Sequence, residues 1–244
     1  MLLDHIVHAT GKTPADTVKY WKEFGMHTSI GGRHLDWGTR NALCYTADSY
    51  IEWLSIEDRE VAEAADHPLT RLLLHDRKGF GTICIRTGDL RKTEQHLQKQ
   101  GFRTSGIMPA KRETASGTIR RWKLLFLEEE VTDAIPSPFF IEWEESDQER
   151  YEALRKDGTI KPSNETLRIE RCVFGVKDPE AVQEKWRRML GGSLQLPNAR
   201  LEFREAASEK ERLEEVVFEG GTETVEFEEG RYVIPSMGKD GTVG

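Results

Sequence analysis

The chain has 244 residues, 37% hydrophobic and 32% charged, with 10 Phe, 6 Trp and 5 Tyr to fill an interior, a balance that fits one large or two smaller globular domains and excludes wholesale disorder. A formal net charge of −8, with basic and acidic residues interspersed, offers no cationic field for a phosphate backbone, which excludes nucleic acid as a partner. Cys44, Cys84 and Cys172 are widely spaced in apolar runs, which fits neither a disulfide framework nor a thiolate zinc site; with no signal-like start and no run of roughly 18 apolar residues, a cytoplasmic protein with no membrane partner is expected.

Residues 3–9 form a β-rich run. Thr13-Pro14 then supplies an N-cap and a first-turn proline for a helix that ends at Gly25, with Val18, Trp21 and Phe24 on one face. Strands are expected near 27–30, 41–46 and 50–56. Residues 57–79 read as one or two helices with Leu69, Leu72 and Leu73 on a common face. A strand at 82–87 follows, then a helix capped by Asp89 and ending at Gly101, then strands near 102–108, 119–127 and 139–143. Residues 144–165 are a charged linker with a short helix at 147–156. Beyond it, 168–176 reads as a strand, Asp178-Pro179 opens a helix marked by Val182, Trp186 and Met189, and short strands are expected at 201–205, 213–219, 224–228 and 231–234. The Gly-rich tail from Pro235 should be loose.

Self-similarity organises this list. Gly25-Met26-His27-Thr28-Ser29 recurs as Gly101-Phe102-Arg103-Thr104-Ser105, Gly38-Thr39 as Gly117-Thr118, and Ile51-Glu52-Trp53 as Ile141-Glu142-Trp143, at offsets of 76, 79 and 90. The growing offset places extra residues at 128–138, where acidic residues and two prolines predict a longer connection. The expected organisation is a pair of strand–helix–three-strand modules over 1–146 (1–56 and 80–146, with a helical insert at 57–79). A charged linker at 147–166, a third and diverged module at 167–234 and a tail at 235–244 complete it.

A duplicated βαβββ unit that opens with Leu3-Asp4-His5-Ile6 and closes on Ile51-Glu52-Trp53 resembles the vicinal-oxygen-chelate superfamily, which includes glyoxalase I, ring-cleaving dioxygenases, fosfomycin-resistance enzymes and bleomycin-binding proteins. With Pro138-Phe139-Phe140-Ile141-Glu142-Trp143 it resembles the bacterial glyoxalase-like domain proteins. The resemblance implies an α+β fold in which tandem βαβββ modules form a curved-sheet cleft, here with a third diverged or incomplete module. It also implies a small-molecule ligand, and module pairing within the chain or across a homodimer. Carried over by position, His5 matches the first-strand metal ligand, and Glu52 and Glu142 the last-strand ligands of the two repeats. The fourth place falls on Thr82, a poor ligand. One imidazole and two carboxylates suit a divalent ion such as Zn, Ni, Mn or Fe and leave positions open for vicinal substrate oxygens, as in a lyase or isomerase. Glu142, if free of metal, would serve as catalytic base.

Other readings stay open on the residues themselves. Both glutamates sit in apolar runs, where an unpartnered charge would cost several kcal/mol, so Arg40, Arg112, Arg120 or Arg121 could pair with them and leave no metal. Arg40, Arg112 and Arg121 are candidate substrate contacts as an anion-steering rim. Trp53 and Trp143 are candidates in a non-catalytic binder of the drug-sequestering kind. His8 falls on the strand face opposite His5 and is expected to be structural.

Overall fold

A computed structural model describes residues 1–113 and 119–236. β1 (Leu2–Ala9) leads to α1 (Pro14–Lys22), which begins where Thr13 accepts the Asp16 amide and Pro14 needs no hydrogen-bond donor. β2 (Ser29–His34), β3 (Thr39–Tyr45) and β4 (Tyr50–Ile56) complete the first unit, and α2 (Arg59–Ala64) and α3 (Pro68–Asp76) form the insert. The second unit is β5 (Gly79–Arg86), α4 (Leu90–Lys99), β6 (Met108–Glu113), β7 (Ile119–Leu125) and β8 (Phe139–Trp143). After α5 (Asp147–Lys156) and α6 (Pro162–Glu165) come β9 (Ile169–Val176), α7 (Pro179–Leu190), β10 (Gln195–Leu196), β11 (Ala199–Glu205), β12 (Arg212–Phe218), β13 (Glu223–Phe227) and β14 (Gly230–Ile234).

The strand expected at 102–108 is absent. Gly101 and Gly106 take positive φ of 86° and 74°, which breaks an extended run, and only a bridge between Thr104 and Leu127 forms there before β6 starts at Met108. Gly117-Thr118 and residues 237–244 of the tail lie outside the described residues.

β1 to β8 make one sheet in the order β2-β3-β4-β1-β5-β8-β7-β6. β1 runs parallel to β4 with His5 opposite Tyr50, and β5 runs parallel to β8 with Cys84 opposite Phe139. The halves meet where β1 and β5 pair antiparallel with His5 opposite Cys84, so a pseudo-twofold axis passes between those residues. The sheet curls until its edge strands β2 and β6 touch. This is the α+β, tandem-module, curved-sheet fold that the resemblance implies.

The remaining strands form a six-stranded sheet, β10-β11-β9-β12-β14-β13. β9 pairs parallel with β11 and β12 parallel with β14, while β9 and β12 meet antiparallel. The C-terminal part thus repeats the paired pattern in shortened form, with a helix in its first half and a direct β12–β13 connection in its second. Its apolar face continues the outer core of the first sheet, where Trp21, Trp53, Phe80 and Phe140 join Phe174, Trp186, Phe227 and Tyr232. The inner, concave face is lined by Val7, Leu54, Cys84, Trp122, Phe139 and Ile141 and is covered at one end by Leu69 and Leu73 of α3. Tyr151 and Leu154 of α5 cover the other end against Leu43, Tyr45 and Tyr50. Among the described residues, no helix is long and apolar enough to cross a membrane.

His8 lies in the seam between the sheets, on the face opposite His5. Its Nδ1 is 2.7 Å from Tyr232 Oη, Phe80 packs edge-on to the ring, and a β-carbon on Gly230 would stand only 2.5 Å from Cε1. Burial pushes the imidazole down to about 3. An unfolded chain takes up that proton first, so the stability contributed by neutral His8 is full above the ordinary histidine range near 6.5. It is lost as pH falls from there toward the folded value, at about 1.4 kcal/mol per pH unit. Urea unfolding between roughly pH 6.5 and pH 4.5 is therefore expected to show a steeper acid loss in the wild type than in His8→Gln, by about one proton; equal slopes would mean that His8 ionises freely in the native state.

Candidate functional site

The site begins with an irregularity in β1. The register against β5 shifts between Leu3 and His5, and a bulge of this kind sends neighbouring side chains to the same face. Leu3 turns to the outer core, while Asp4 and His5 both meet groups of the concave side. His5 Nδ1 is 2.8 Å from Asp4 Oδ1. The other Asp4 oxygen accepts from Trp143 Nε1 at 3.1 Å and Arg86 Nη1 at 3.2 Å, with Arg150 Nη2 at 3.8 Å. Asp4 has no exposed surface. Burial pushes its carboxyl up, but the His5 hydrogen bond and the charges of Arg150, His5 and Arg86 outweigh that and hold it well below the usual carboxylate range.

Arg150 comes from α5, which starts in a reciprocal Ser146–Glu149 capping box. Its guanidinium lies 4.4 Å over the Trp143 ring and bonds Asp147 at 2.9 Å. Because ionised Asp4 accepts the Nδ1 proton, a neutral His5 ring carries its lone pair on Nε2. That nitrogen is 3.6 Å from Glu52 Oε2. Asn41 Nδ2 donates to Glu52 Oε1 at 2.6 Å and is itself oriented by the Gly32 amide, which donates to Asn41 Oδ1 at 2.8 Å. Tyr50 stacks on the His5 ring with centroids 4.5 Å apart. His34, Trp37, Trp122, Ile141 and Trp143 help enclose a cavity of ≈ 40 Å³ in front of these groups.

The structure brings His5, Glu52 and Trp143 together and leaves the other sequence candidates outside. Glu142 faces the opposite side of the sheet, where it accepts from the Leu90 amide at 2.7 Å and Lys123 Nζ at 2.8 Å. Burial raises its carboxyl, and the bonds from Lys123 and Leu90 overcome this and hold it low. The reason is register. Parallel pairing matches Tyr50 with Phe139, so the counterpart of Glu52 is Ile141 and the repeated Ile-Glu-Trp is one residue out of step. In a strand such a slip reverses every side chain. Trp53 accordingly faces outward, 4.9 Å from the Trp21 ring, and donates to Tyr232 Oη at 3.1 Å. The counterpart of His5 is Cys84 rather than Thr82, whose hydroxyl donates to Ser137 O at 3.0 Å.

Arg40 is flanked in β3 by inward Asn41 and turns away, with Nη1 3.8 Å from Glu57. Arg121 is exposed between buried Arg120 and Trp122, and Arg120 bonds Glu145 at 2.6 Å. The side chain of Arg112 lies outside the described residues. Asp4, Asn41, Tyr50 and Arg150 are the site residues that periodicity missed. The Asp4-His5 dipeptide was the available signal, but simple alternation assigns neighbours to opposite faces, and Arg150 sits in what reads as linker.

Among the described residues, Asp4, His5 and Cys84 have donor atoms all within 4.8 Å of one another. They do not make a divalent-metal site. Asp4 is occupied by His5, Trp143 and two guanidinium groups, which would repel a second cation. Burial, with the negative charges of Asp4 and Glu52, drives the Cys84 thiol well above its ordinary range. On the cavity side, His5 Nε2 and Glu52 make a pair where a facial triad needs three donors, and Ile141 stands where the second repeat would contribute one.

A family model described as a glyoxalase-like domain matches residues 3–190. No curated protein matches. Among solved structures, a hypothetical protein from Staphylococcus aureus is similar over 94% of this chain and 97% of its own, with a TM-score of 0.76 and 24% identity, a likeness of fold. A Streptomyces coelicolor methylmalonyl-CoA epimerase variant aligns over 59% of this chain and 99% of its own at 16% identity, with a TM-score of 0.43. The Mycobacterium tuberculosis methylmalonyl-CoA epimerase covers 62% and 91%, at 16% identity and a TM-score of 0.41.

Arg150→Met should test the ion network directly. Removing one partner from a buried pair strands the other, so a loss of about 3–5 kcal/mol in urea-derived stability is expected. Adding Asp4→Asn should recover part of it, with a coupling of at least about 1 kcal/mol; additive losses would show that the two side chains do not interact.

Proposed function

The chain belongs to the glyoxalase-like domain family, and from that premise we propose that it is a small-molecule enzyme moving protons on an oxygenated substrate, with His5 as base and Glu52 as its partner. The observation that carries this reading is His5 itself. Asp4 holds the ring by Nδ1 at 2.8 Å and leaves Nε2 turned toward Glu52 at 3.6 Å, which is the arrangement of a base oriented by a buried acid.

The 3.6 Å separation is too long for a direct hydrogen bond and short enough for one substrate hydroxyl to reach both groups. Both stand on the same face of the sheet, so proton transfers between neighbouring carbons would occur on one side of the substrate. An α-hydroxycarbonyl compound fits this requirement. His5 Nε2 takes the proton from the carbinol carbon and returns it to the former carbonyl carbon, while Glu52 carries the hydroxyl proton between the two oxygens. Glu142 has no part in this reading, because the register of β8 turns it to the other face of the sheet; a divalent metal on Asp4, His5 and Cys84, whose donor atoms lie within 4.8 Å of one another, would have to displace the donors that already hold Asp4. A second reading, a binding protein without turnover, is favoured by the tryptophans at the cavity, Trp37, Trp122 and Trp143.

Incubation with hydroxyacetone in heavy water, followed by proton NMR, separates these readings. Protein-catalysed carbon–hydrogen exchange is expected, lowered by about 10²-fold or more in His5→Gln and in Glu52→Gln, unchanged in Glu142→Gln, and insensitive to a chelator. Exchange no faster than in imidazole buffer, together with saturable tryptophan quenching by the same compound, would instead establish the binder.

A further inference from the structure

We infer that an apolar chamber beside the His5 cavity is its second compartment and receives an uncharged apolar arm of the substrate, beneath a roof held by the C-terminal sheet. This rests on the reading of the His5 cavity as the substrate's polar site. The cavity in front of His5 and Glu52 measures only ≈ 40 Å³, far below the usual small-molecule pocket, so a longer substrate carbon chain must extend elsewhere. The chamber is ≈ 320 Å³, within the range of small-molecule pockets. Leu69 and Phe139 line both spaces, which places the two side by side.

The chamber's chemistry selects its occupant. Leu69 and Leu72 of α3, with Phe126, Val131, Ile135 and Phe139, make most of its surface apolar. Among its polar groups, Thr82 and Glu129 are already engaged, and exposed Glu130 also lines it. Thr82 donates to Ser137 O at 3.0 Å, and the Glu129 carboxylate accepts from Lys185 Nζ at 2.7 Å and Ser137 Oγ at 2.9 Å. An arm without charge therefore leaves these bonds undisturbed and gains by leaving water.

The roof is the long connection before β8, and the C-terminal half holds it. Arg212 of β12 donates to the carbonyls of Thr132 at 2.7 Å, Asp133 at 3.2 Å and Ala134 at 2.8 Å. The same guanidinium grips Asp76, the last residue of α3, through bonds of 2.8 and 2.9 Å. Glu211 accepts from the Ile135 amide at 3.0 Å and returns its own amide to Asp133 O at 2.7 Å. One buried arginine thus ties the chamber's roof to its α3 wall, and α7 adds Lys185 at the rim. The C-terminal sheet is on this account a positioning element for ligand selectivity.

A series of 1-hydroxy-2-alkanones, from hydroxyacetone to 1-hydroxy-2-decanone, tests the proposal by calorimetric affinity. The wild type should bind about fourfold more tightly for each added methylene until the chamber fills. Ala134→Trp and Thr132→Trp, both exposed lining positions on the roof, should each cut the affinity ratio of 1-hydroxy-2-octanone to hydroxyacetone at least tenfold, and Arg212→Gln should lower the same ratio. A flat series in the wild type overturns the proposal, as does a slope that survives in both tryptophan variants. Hydroxyacetone exchange reports only on the polar site. Fluorescence of neutral N-phenyl-1-naphthylamine, which lacks an oxygenated head, reports on the chamber without it; binding retained by wild type and Glu52→Gln but lost in the tryptophan variants supports the chamber whatever the exchange assay gives.

Discussion

A carboxylate with no exposed surface in the central strand pair of an eight-stranded sheet is the constraint around which this molecule is arranged. An isolated charge there would be untenable, so Asp4 must be met by hydrogen-bond donors and cations from several directions. Arg86 arrives from β5, Trp143 from the end of β8, and Arg150 from a helix that would otherwise be a mere connection. Each of these partners fixes an element. The network docks α5 onto the inner face, pins the end of β8 to the start of β1, and leaves His5 with one predetermined tautomer and orientation. The geometry of the cavity and the specificity of folding are in this sense the same set of bonds.

The duplication was legible because glycines, caps and apolar periodicity survive divergence. Thr13-Pro14, Asp89 and Asp178-Pro179 each start a helix where their chemistry says they should, and the α5 bounds follow from Ser146 and the helical spacing beyond it. Register was not legible. The tripeptide Ile-Glu-Trp looked like one structural feature seen twice, yet its two copies are displaced by a single position, which puts Glu52 inside the concavity and Glu142 outside it. A period of two gives no warning of such a slip, because an apolar run buried on both faces hides its phase. The bulge at Asp4 was equally invisible, since nothing in the dipeptide Asp4-His5 announces that two neighbours will share a face.

The resulting cleft is asymmetric despite its parentage. The first half supplies Asp4, His5, Asn41 and Glu52, whereas the second lines the same space with Phe139, Ile141, Trp122 and Trp143. At the pseudo-twofold axis His5 faces Cys84, a thiol that burial keeps protonated. The two halves of the sheet thus give the cavity one polar wall and one largely apolar wall. The shortened second sheet repeats the same topology once more and serves as a buttress for both the seam at His8 and the loop before β8.

The bond between His8 and Tyr232 joins residues 224 positions apart in the chain, and that spacing has a consequence for biosynthesis. β1 cannot complete its outer packing until β14 has also been made, so its apolar outer face waits uncovered while the intervening chain is synthesised. A premature stop before β14 would yield not a smaller working unit but a product with an open hydrophobic seam, fit mainly for proteolysis.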